Sequence, residues 1–465
     1  MVYLKNLLKN WSTWPQWFAA FDIFLMAFVS GLETGWASPS LAKLISINSS
    51  LPINEYQASW IASLLNTGRS FGAVLGLIST EYLGSKTSLI YNAYIHGIGM
   101  ICLLYVYSVN WLYASRFIVG LGSGMWASIF PIYIGEISNP KIRGALVCLI
   151  SIGMPIGFIF GNIIGAYTEM WIFGIISLVP VLLFLILFMW FPKTPHFLVL
   201  KGQIDDALIS IEWYQRDANA ILDLVSIKNF VEEKRFLNAA DYIKYLMLPF
   251  NRIALIKVNT VHFLLQMSGF CTVSYYMEII LTQAQVTLMD TALAVPTIAG
   301  TALIGGVISI YTCDKLGRKV LLSTSSMCIA LSMFAIGIYF HLLDSKFDIM
   351  SYDSVILFFF IMIEFSVYLG IDPILGTINS EIFSPNIKII ACCLTNFMSG
   401  LFASIATQFY QTLVDAISLK CVFYFYGINM TLLAVFVWYA LPETKGKSLQ
   451  EIQDMLKKKF GLEIY

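Results

Sequence analysis

The sequence predicts an all-α membrane protein with twelve transmembrane helices in two related six-helix halves. Composition, length and an internal repeat predict it. Apolar residues fill 58% of the 465 positions, while Asp, Glu, Lys and Arg fill only 12%. Soluble domains carry about 25% charged residues, so this chain lacks the charge to solvate its own surface. Basic and acidic residues number 28 each, for a net charge of zero. That balance excludes the basic excess of a nucleic-acid binder and the high net charge of a disordered chain. A span needs about 20 apolar residues, so roughly 400 residues, with one longer loop set aside, accommodate about twelve.

Apolar runs bounded by turn and charge signals place helices at 18–40, 57–79, 87–107, 112–134, 145–167, 171–191, 254–281, 291–312, 320–342, 354–379, 390–413 and 421–441. The first run, Trp17 to Trp36, contains Asp22 and Glu33 and is too long for a cleaved signal. Residues 1–191 form one half and 253–441 the other. Between them, 192–252 carries eight basic and eight acidic side chains, too polar to span. Runs such as Asp205–Leu208 and Ile211–Tyr214 predict short amphipathic helices at the membrane surface. Residues 442–465 form a tail. With linker and termini cytoplasmic, 23 of the 28 basic residues fall on that side, counting Lys257 at the cytoplasmic end of the seventh span, as the positive-inside rule requires. Lys43, Lys346 and Lys420 fall outside, and Arg69 and Arg116 lie within spans. Asn48 begins a glycosylation sequon in the first outer loop. None of the eight cysteines pairs with another in an outer loop, and no metal-ligand spacing or cofactor motif is present.

The repeat ties the two halves together. Glu81–Tyr–Leu–Gly84–Ser85–Lys86 follows the second span, and Asp314–Lys–Leu–Gly317–Arg318–Lys319 follows the eighth. Glu136 precedes Arg143 by seven residues after the fourth span, as Glu381 precedes Lys388 after the tenth. The sixth and twelfth spans end in Phe191–Pro192–Lys193–Thr194 and Leu441–Pro442–Glu443–Thr444. Three matched signatures in one order predict a duplicated transporter plan.

Further motifs are Gly31–Leu–Glu33–Thr–Gly35–Trp36–Ala–Ser–Pro39, Arg116–Phe–Ile–Val–Gly120–Leu–Gly122–Ser–Gly124 and Pro131–Ile–Tyr133–Ile–Gly–Glu136. Others are Gln266–Met–Ser–Gly269, Tyr275–Tyr276 and Pro442–Glu–Thr–Lys–Gly446. From Gly31 to Leu449 the chain resembles the sugar porter family of the major facilitator superfamily, and within it the insect facilitated trehalose transporters. The resemblance implies a substrate site containing Gln266, with Tyr275 and Tyr276 helping to close the outer side. It also implies a gate network in which Glu81, Glu136, Asp314 and Glu381 reach Arg143, Arg318 and Lys319 and tie the halves shut on the cytoplasmic side. Several sugar-contact positions depart from the glucose facilitators: Leu265, Cys271, Ser151, Gly376, Ser399 and Gly400.

Charges inside spans are costly and mark function. Glu33, Arg69, Arg116, Glu364 and Asp372 lie there. Glu33 occupies the position where bacterial sugar–proton symporters carry an aspartate, and Arg116 matches its arginine partner, so the two are the proton-coupling candidates. The competing expectation is a permanent Glu33 salt bridge to Arg116 or Arg69 with passive transport. Asp372 stands beside helix-loosening Pro373, where relatives have a small residue, as a ligand for sugar hydroxyls or a selector of cations. His96 and His262 are expected to be packed helix residues. The function expected is alternating-access transport of a small sugar, trehalose or a hexose, by a multi-pass plasma-membrane protein in the lipid bilayer. It is facilitated or driven by protons, with no enzymatic chemistry, cofactor or nucleic-acid partner. The alternatives are a transporter of another polar or cationic solute and a non-transporting sugar sensor.

Overall fold

The computed structural model describes residues 13–46, 49, 51–216, 219–235, 244–345, 353–383, 387–443, 445 and 451. All regular structure among the described residues is helical, and twelve helices are long and apolar enough to cross a membrane. The first half contains Trp14–Ile45, Glu55–Leu83, Ser85–Leu104, Val109–Ile137, Arg143–Tyr167 and Met170–Phe188. The second contains Pro249–Gln283, Thr291–Cys313, Arg318–Asp344, Asp353–Asn379, Lys388–Ile417 and Leu419–Ala440. Because each half has an even number of spans, the start of the first span, the linker and the end of the twelfth share one end of the molecule.

The helices start and stop for local reasons. Asn54 caps the second span: its Oδ1 accepts from the Gln57 N–H at 2.7 Å, and Gln57 Oε1 accepts from the Asn54 N–H at 3.0 Å. The third helix ends at Leu104, before the expected 107, since Ser108 is already extended backbone ahead of the fourth. The seventh span begins at Pro249 and breaks at Gly269, where φ is +67° and the ring of Tyr426 occupies the space of a Cβ. The tenth is interrupted by a π-helical turn at Val367–Ile371 just before Pro373, which has no N–H to continue the ladder.

Within the first half, backbones meet at glycines. A side chain at Gly157 would strike the Phe28 carbonyl and the Gly31 Cα, and one at Gly120 would strike the Leu65 carbonyl and the Gly68 Cα. These contacts bind the fifth span to the first and the fourth to the second. Close approach of this kind replaces the hydrophobic driving force that lipid removes.

Three short helices, Pro195–Leu200, Ile204–Tyr214 and Ala220–Arg235, lie in the linker. The second of them anchors to the first half. Buried Tyr214 donates its hydroxyl to the Pro192 carbonyl at 2.9 Å and lies 2.9 Å from the Tyr133 hydroxyl. Its carbonyl accepts from Gln16 Nε2 at 2.9 Å. Burial pushes the Tyr214 phenol upward from its ordinary range, so it stays a neutral donor.

The two halves meet along a polar ladder between the second and eleventh spans. Its rungs are Glu55–Gln411 at 2.6 Å, Ser63–Gln408 at 2.7 Å and Thr67–Ser404 at 2.6 Å. Tyr275 and Tyr276 extend it from the seventh span, donating to Asn66 Oδ1 at 3.3 Å and Ser59 Oγ at 3.2 Å. The Glu278 N–H donates to Ser38 Oγ at 3.0 Å. These rungs lie in the part of the molecule away from the linker. Beyond Cys393, whose thiol meets the Ala73 carbonyl, the bonds shown at the linker end stay within one half.

Two predictions follow from this packing. Gly157→Val is expected to lower the thermal-unfolding midpoint in detergent by several degrees, consistent with about 1–3 kcal/mol of overpacking. Gly300→Val, where a side chain would meet nothing within 4 Å, is expected to leave it unchanged. Gln408→Ala removes a cross-half bond of about 0.5–1.5 kcal/mol. In a background lacking the native cysteines, it should speed impermeant-maleimide labelling of Ala62→Cys from the end opposite the linker, read by mass shift.

Candidate solute cavity and buried charge cluster

The break at Gly269 ends one helix just after Gln266 and starts the next at Phe270, which brings Gln266 and Cys271 together. Gln266 accepts from the Cys271 thiol at 3.6 Å and donates from Nε2 to Ser399 Oγ of the eleventh span at 3.1 Å. His262, one turn earlier, places Nδ1 3.1 Å from the same Ser399 oxygen. His262 is buried in its helix, as expected, and is also part of a polar group. Its polar role was hidden because its partner lies 137 residues away.

Asp372 and Gly376 lie one turn apart on an exposed face of the tenth span, and a side chain at Gly376 would meet nothing within 4 Å. Asp372 is also within electrostatic range of Arg69 from the first half. An exposed residue facing the opposite half looks into the space between the halves, not into lipid. Arg69 also acts on Cys271 and Tyr275, and Glu364 and Asp372 both act on Cys271 and Tyr368. Glu364 is buried and accepts from Ser274 at 2.8 Å. Gln266, Ser399, Asp372, Gly376 and Arg69 thus outline a polar, charged region between the halves, the candidate solute cavity. Tyr275 and Tyr276 are buried in the seal above it, with Tyr276 stacked 4.7 Å from Tyr410. Ser151 is not joined to this group: it is exposed on the fifth span, and its hydroxyl donates to its own helix at Val147.

The second cluster lies inside the first half. Glu33 Oε1 is 2.7 Å from His96 Nδ1, and Ser123 donates to Glu33 Oε2 at 3.3 Å. Arg116 does not pair with the Glu33 carboxylate. Its Nη1 donates to the Glu33 backbone carbonyl at 2.9 Å and its Nε to the Ile61 carbonyl at 3.4 Å. Its guanidinium lies 5.0 Å from the Trp36 ring centre. The contact expected between the Glu33 carboxylate and Arg116 is thus made with His96 instead, and His96, buried in its helix as expected, also contacts that carboxylate. The geometric reason is Gly122, where a Cβ would lie 2.6 Å from the His96 ring, so glycine opens the space that the imidazole fills. His96 carried no motif in the sequence, and Ser123 lies inside the Arg116–Gly124 motif without a role assigned to it there. The one signal for Ser123 is helical spacing, since it and Arg116 lie seven residues, two turns, apart on the fourth span.

The gate residues are distributed differently from the expected network. Arg318 pairs with Glu381 at 3.2 Å, within the second half. Glu136 accepts from Ser85 at 2.5 Å, and Arg143 donates to the Gly135 carbonyl at 3.0 Å and to Ser138 Oγ at 3.1 Å, within the first. Glu81 is exposed. Lys319 lies over the Trp438 ring at 5.1 Å. The bonds shown for these side chains do not cross between the halves, because the halves are joined at the other end. A residue the network lacked is Glu443, whose carboxylate accepts from the N–H groups of Arg318 and Lys319 at 3.0 and 3.1 Å, where the helix leaves them unpaired. Asn48 and the Asp314 side chain lie outside the described residues.

Comparison with known proteins gives this geometry its family. Residues 17–456 match the family model described as "Sugar (and other) transporter". The chain is similar to the facilitated trehalose transporter Tret1 of Bombyx mori, with 27% identity over 97% of this chain and 88% of the relative. It is also similar to the mouse solute carrier family 2, facilitated glucose transporter member 6, with 24% identity over 94% of this chain and 90% of the relative. Among solved structures it resembles the inward-open conformation of the xylose transporter XylE from E. coli. That likeness has a TM-score of 0.77 at 20% identity, covering 94% of this chain and 99% of the other. The family-model match over residues 17–456, nearly the whole chain, shows that the chain belongs to the sugar (and other) transporter family.

Proposed function

We propose that the protein carries trehalose or a hexose across the plasma membrane by alternating access, with both termini cytoplasmic. The observation that carries this reading is the asymmetry of the inter-half contacts. A hydrogen-bonded ladder seals one end, while the polar face of Asp372 and Gly376 stands exposed toward the linker end. A solute released there is released to the side that holds 23 of the 28 basic residues, which the positive-inside rule makes the cytoplasm.

Gln266 and Ser399 supply amide and hydroxyl groups for sugar hydroxyls, and Asp372 can accept two hydroxyl hydrogens at once. Tyr275 and Tyr276 act on the seal: reopening the outer side requires their bonds to Asn66 and Ser59 to break. The gate residues Glu81, Glu136, Arg143, Asp314, Arg318, Lys319 and Glu381 lie at the linker-end helix termini, where they would meet across the halves in the outward-open state. Residues 192–252 act as the cytoplasmic linker between the halves.

A second reading is favoured by the charges. Arg69 and Asp372 face one another across the cavity from different halves, and a neutral sugar does not require either. A polar or cationic solute would engage Asp372 directly. Transport driven by protons through Glu33 is compatible with both solute classes.

Radiolabelled trehalose, glucose and a cationic amine, measured side by side in oocytes, test the assignment. Uptake of either sugar above water-injected controls is expected, and amine uptake without sugar uptake would establish the second reading. Gln266→Ala is expected to raise the KM for the sugar about fivefold or more, the effect of losing about 1 kcal/mol of hydrogen bonding.

A further inference from the structure

A single carboxylate has an imidazole and a guanidinium beside it in the interior of the first half. Glu33 is 1% exposed and His96 0% exposed. The charged or titratable groups in range of Glu33 are His96 from the third span and Arg116 from the fourth. The fifth span packs on the first through Gly157, Phe158 and Asn162, and the sixth brings Phe173, none of them charged. The second span offers the Ile61 carbonyl, and Tyr275 of the seventh lies in range of Arg116. Asp22 on the same helix is eleven residues away, about 16 Å along the axis.

Two polar atoms in this cluster are left without partners: Arg116 Nη2 and His96 Nε2. A buried guanidinium N–H with no acceptor is costly, and it lies on the arginine that already holds the backbone of Glu33. Rotation of the Glu33 side chain about its own bonds, with the backbone bond to Arg116 kept, would bring the carboxylate to that unused donor.

We propose that His96 is the positioning residue that holds the transported proton with Glu33, and that exchange of Glu33 from His96 to Arg116 releases it. In the loaded form of this arrangement the imidazole carries a hydrogen on Nε2, and the imidazole–carboxyl pair holds a second proton across the Nδ1···Oε1 contact, which is the one released. When the carboxylate turns to Arg116, the guanidinium compensates its charge and the imidazole is left neutral. One proton therefore departs, with no other bond made or broken. Ser123, half-buried and bonded to Glu33 Oε2, is where water can receive it. Gly122 makes the first arrangement possible, since a larger residue there would expel the imidazole. This inference rests on the transport reading and adds to it the group that carries the coupling.

Purified full-length protein in liposomes containing a pH-sensitive dye tests this, with trehalose and glucose as probes. Counterflow of labelled sugar, which moves no net protons, is measured in the same vesicles. Sugar-driven proton entry is expected for the parent protein. In His96→Gln the ratio of proton entry to counterflow should fall about fivefold or more, and net uptake should lose its dependence on pH between about 5.5 and 8. A ratio and pH profile equal to the parent's would overturn the proposal. Should His96→Gln fail to fold, Ser123→Ala is expected to shift the pH midpoint of net uptake, and an unchanged midpoint counts against the idea. Counterflow without proton entry in the parent overturns this inference and leaves sugar transport standing. Absence of counterflow overturns both.

Discussion

Backbone-to-backbone approach at glycine holds the first half together, and the chemistry of that half depends on it. In lipid there is no hydrophobic gain from pairing apolar helices, so association rests on close packing and polar contacts. Gly31 against Gly157 and Gly68 against Gly120 bring the first span to the fifth and the second to the fourth. The fourth span is thereby close enough for Arg116 to reach both the Glu33 and Ile61 carbonyls. A further glycine, Gly122, leaves the space into which His96 turns toward Glu33. Replacing any of these glycines would move the charged cluster as well as loosen the packing.

The contacts between halves are of a different kind. They are hydrogen bonds between hydroxyl, amide and carboxylate groups on the first, second, seventh and eleventh spans. Each is individually modest, about 0.5–1.5 kcal/mol, which suits an interface that must open and close. Within the first half the backbone contacts at glycine are far closer than these side-chain bonds. The seam between the halves is therefore the weaker set of contacts. The breaks at Gly269 and before Pro373 both lie on spans that face the seam, where a helix must bend for the halves to rock.

Charge is scarce in this chain and unevenly placed. At the linker end, Arg318–Glu381 and the Glu443 cap are partly exposed and hold helix termini. In the cavity, Arg69 and Asp372 face each other across the halves without a direct ion pair among the described contacts. In the interior, Glu33 and His96 are fully enclosed. The same residue types thus hold helix ends, face the opposite half and form a buried carboxylate–imidazole contact, distinguished by how much water reaches each.

The twelve spans, the two halves and the linker helices were legible in the sequence because apolar runs and turn residues are local signals. The offset repeat at Glu81/Asp314 and Glu136/Glu381 carried the duplication for the same reason. The helix break at Gly269 was legible as a motif, though not as a break. Partner choice was not legible. Glu33 and Arg116 were visible as costly charges in spans, but the third-span imidazole that takes the carboxylate is 63 residues away in the chain and carries no motif. Gly122 is one of three alternating glycines, and nothing local marks it as the one against which an imidazole packs. Which end of the seam is closed is likewise set by the match of Ser63, Thr67 and Glu55 to Gln408, Ser404 and Gln411. Those pairs form only when two helices more than 300 residues apart come together. Sequence alone determined the elements and the inventory of buried charge, since both follow from solvation of each segment in lipid. Tertiary structure decided which charge meets which, because that depends on the free space that small residues leave between helices.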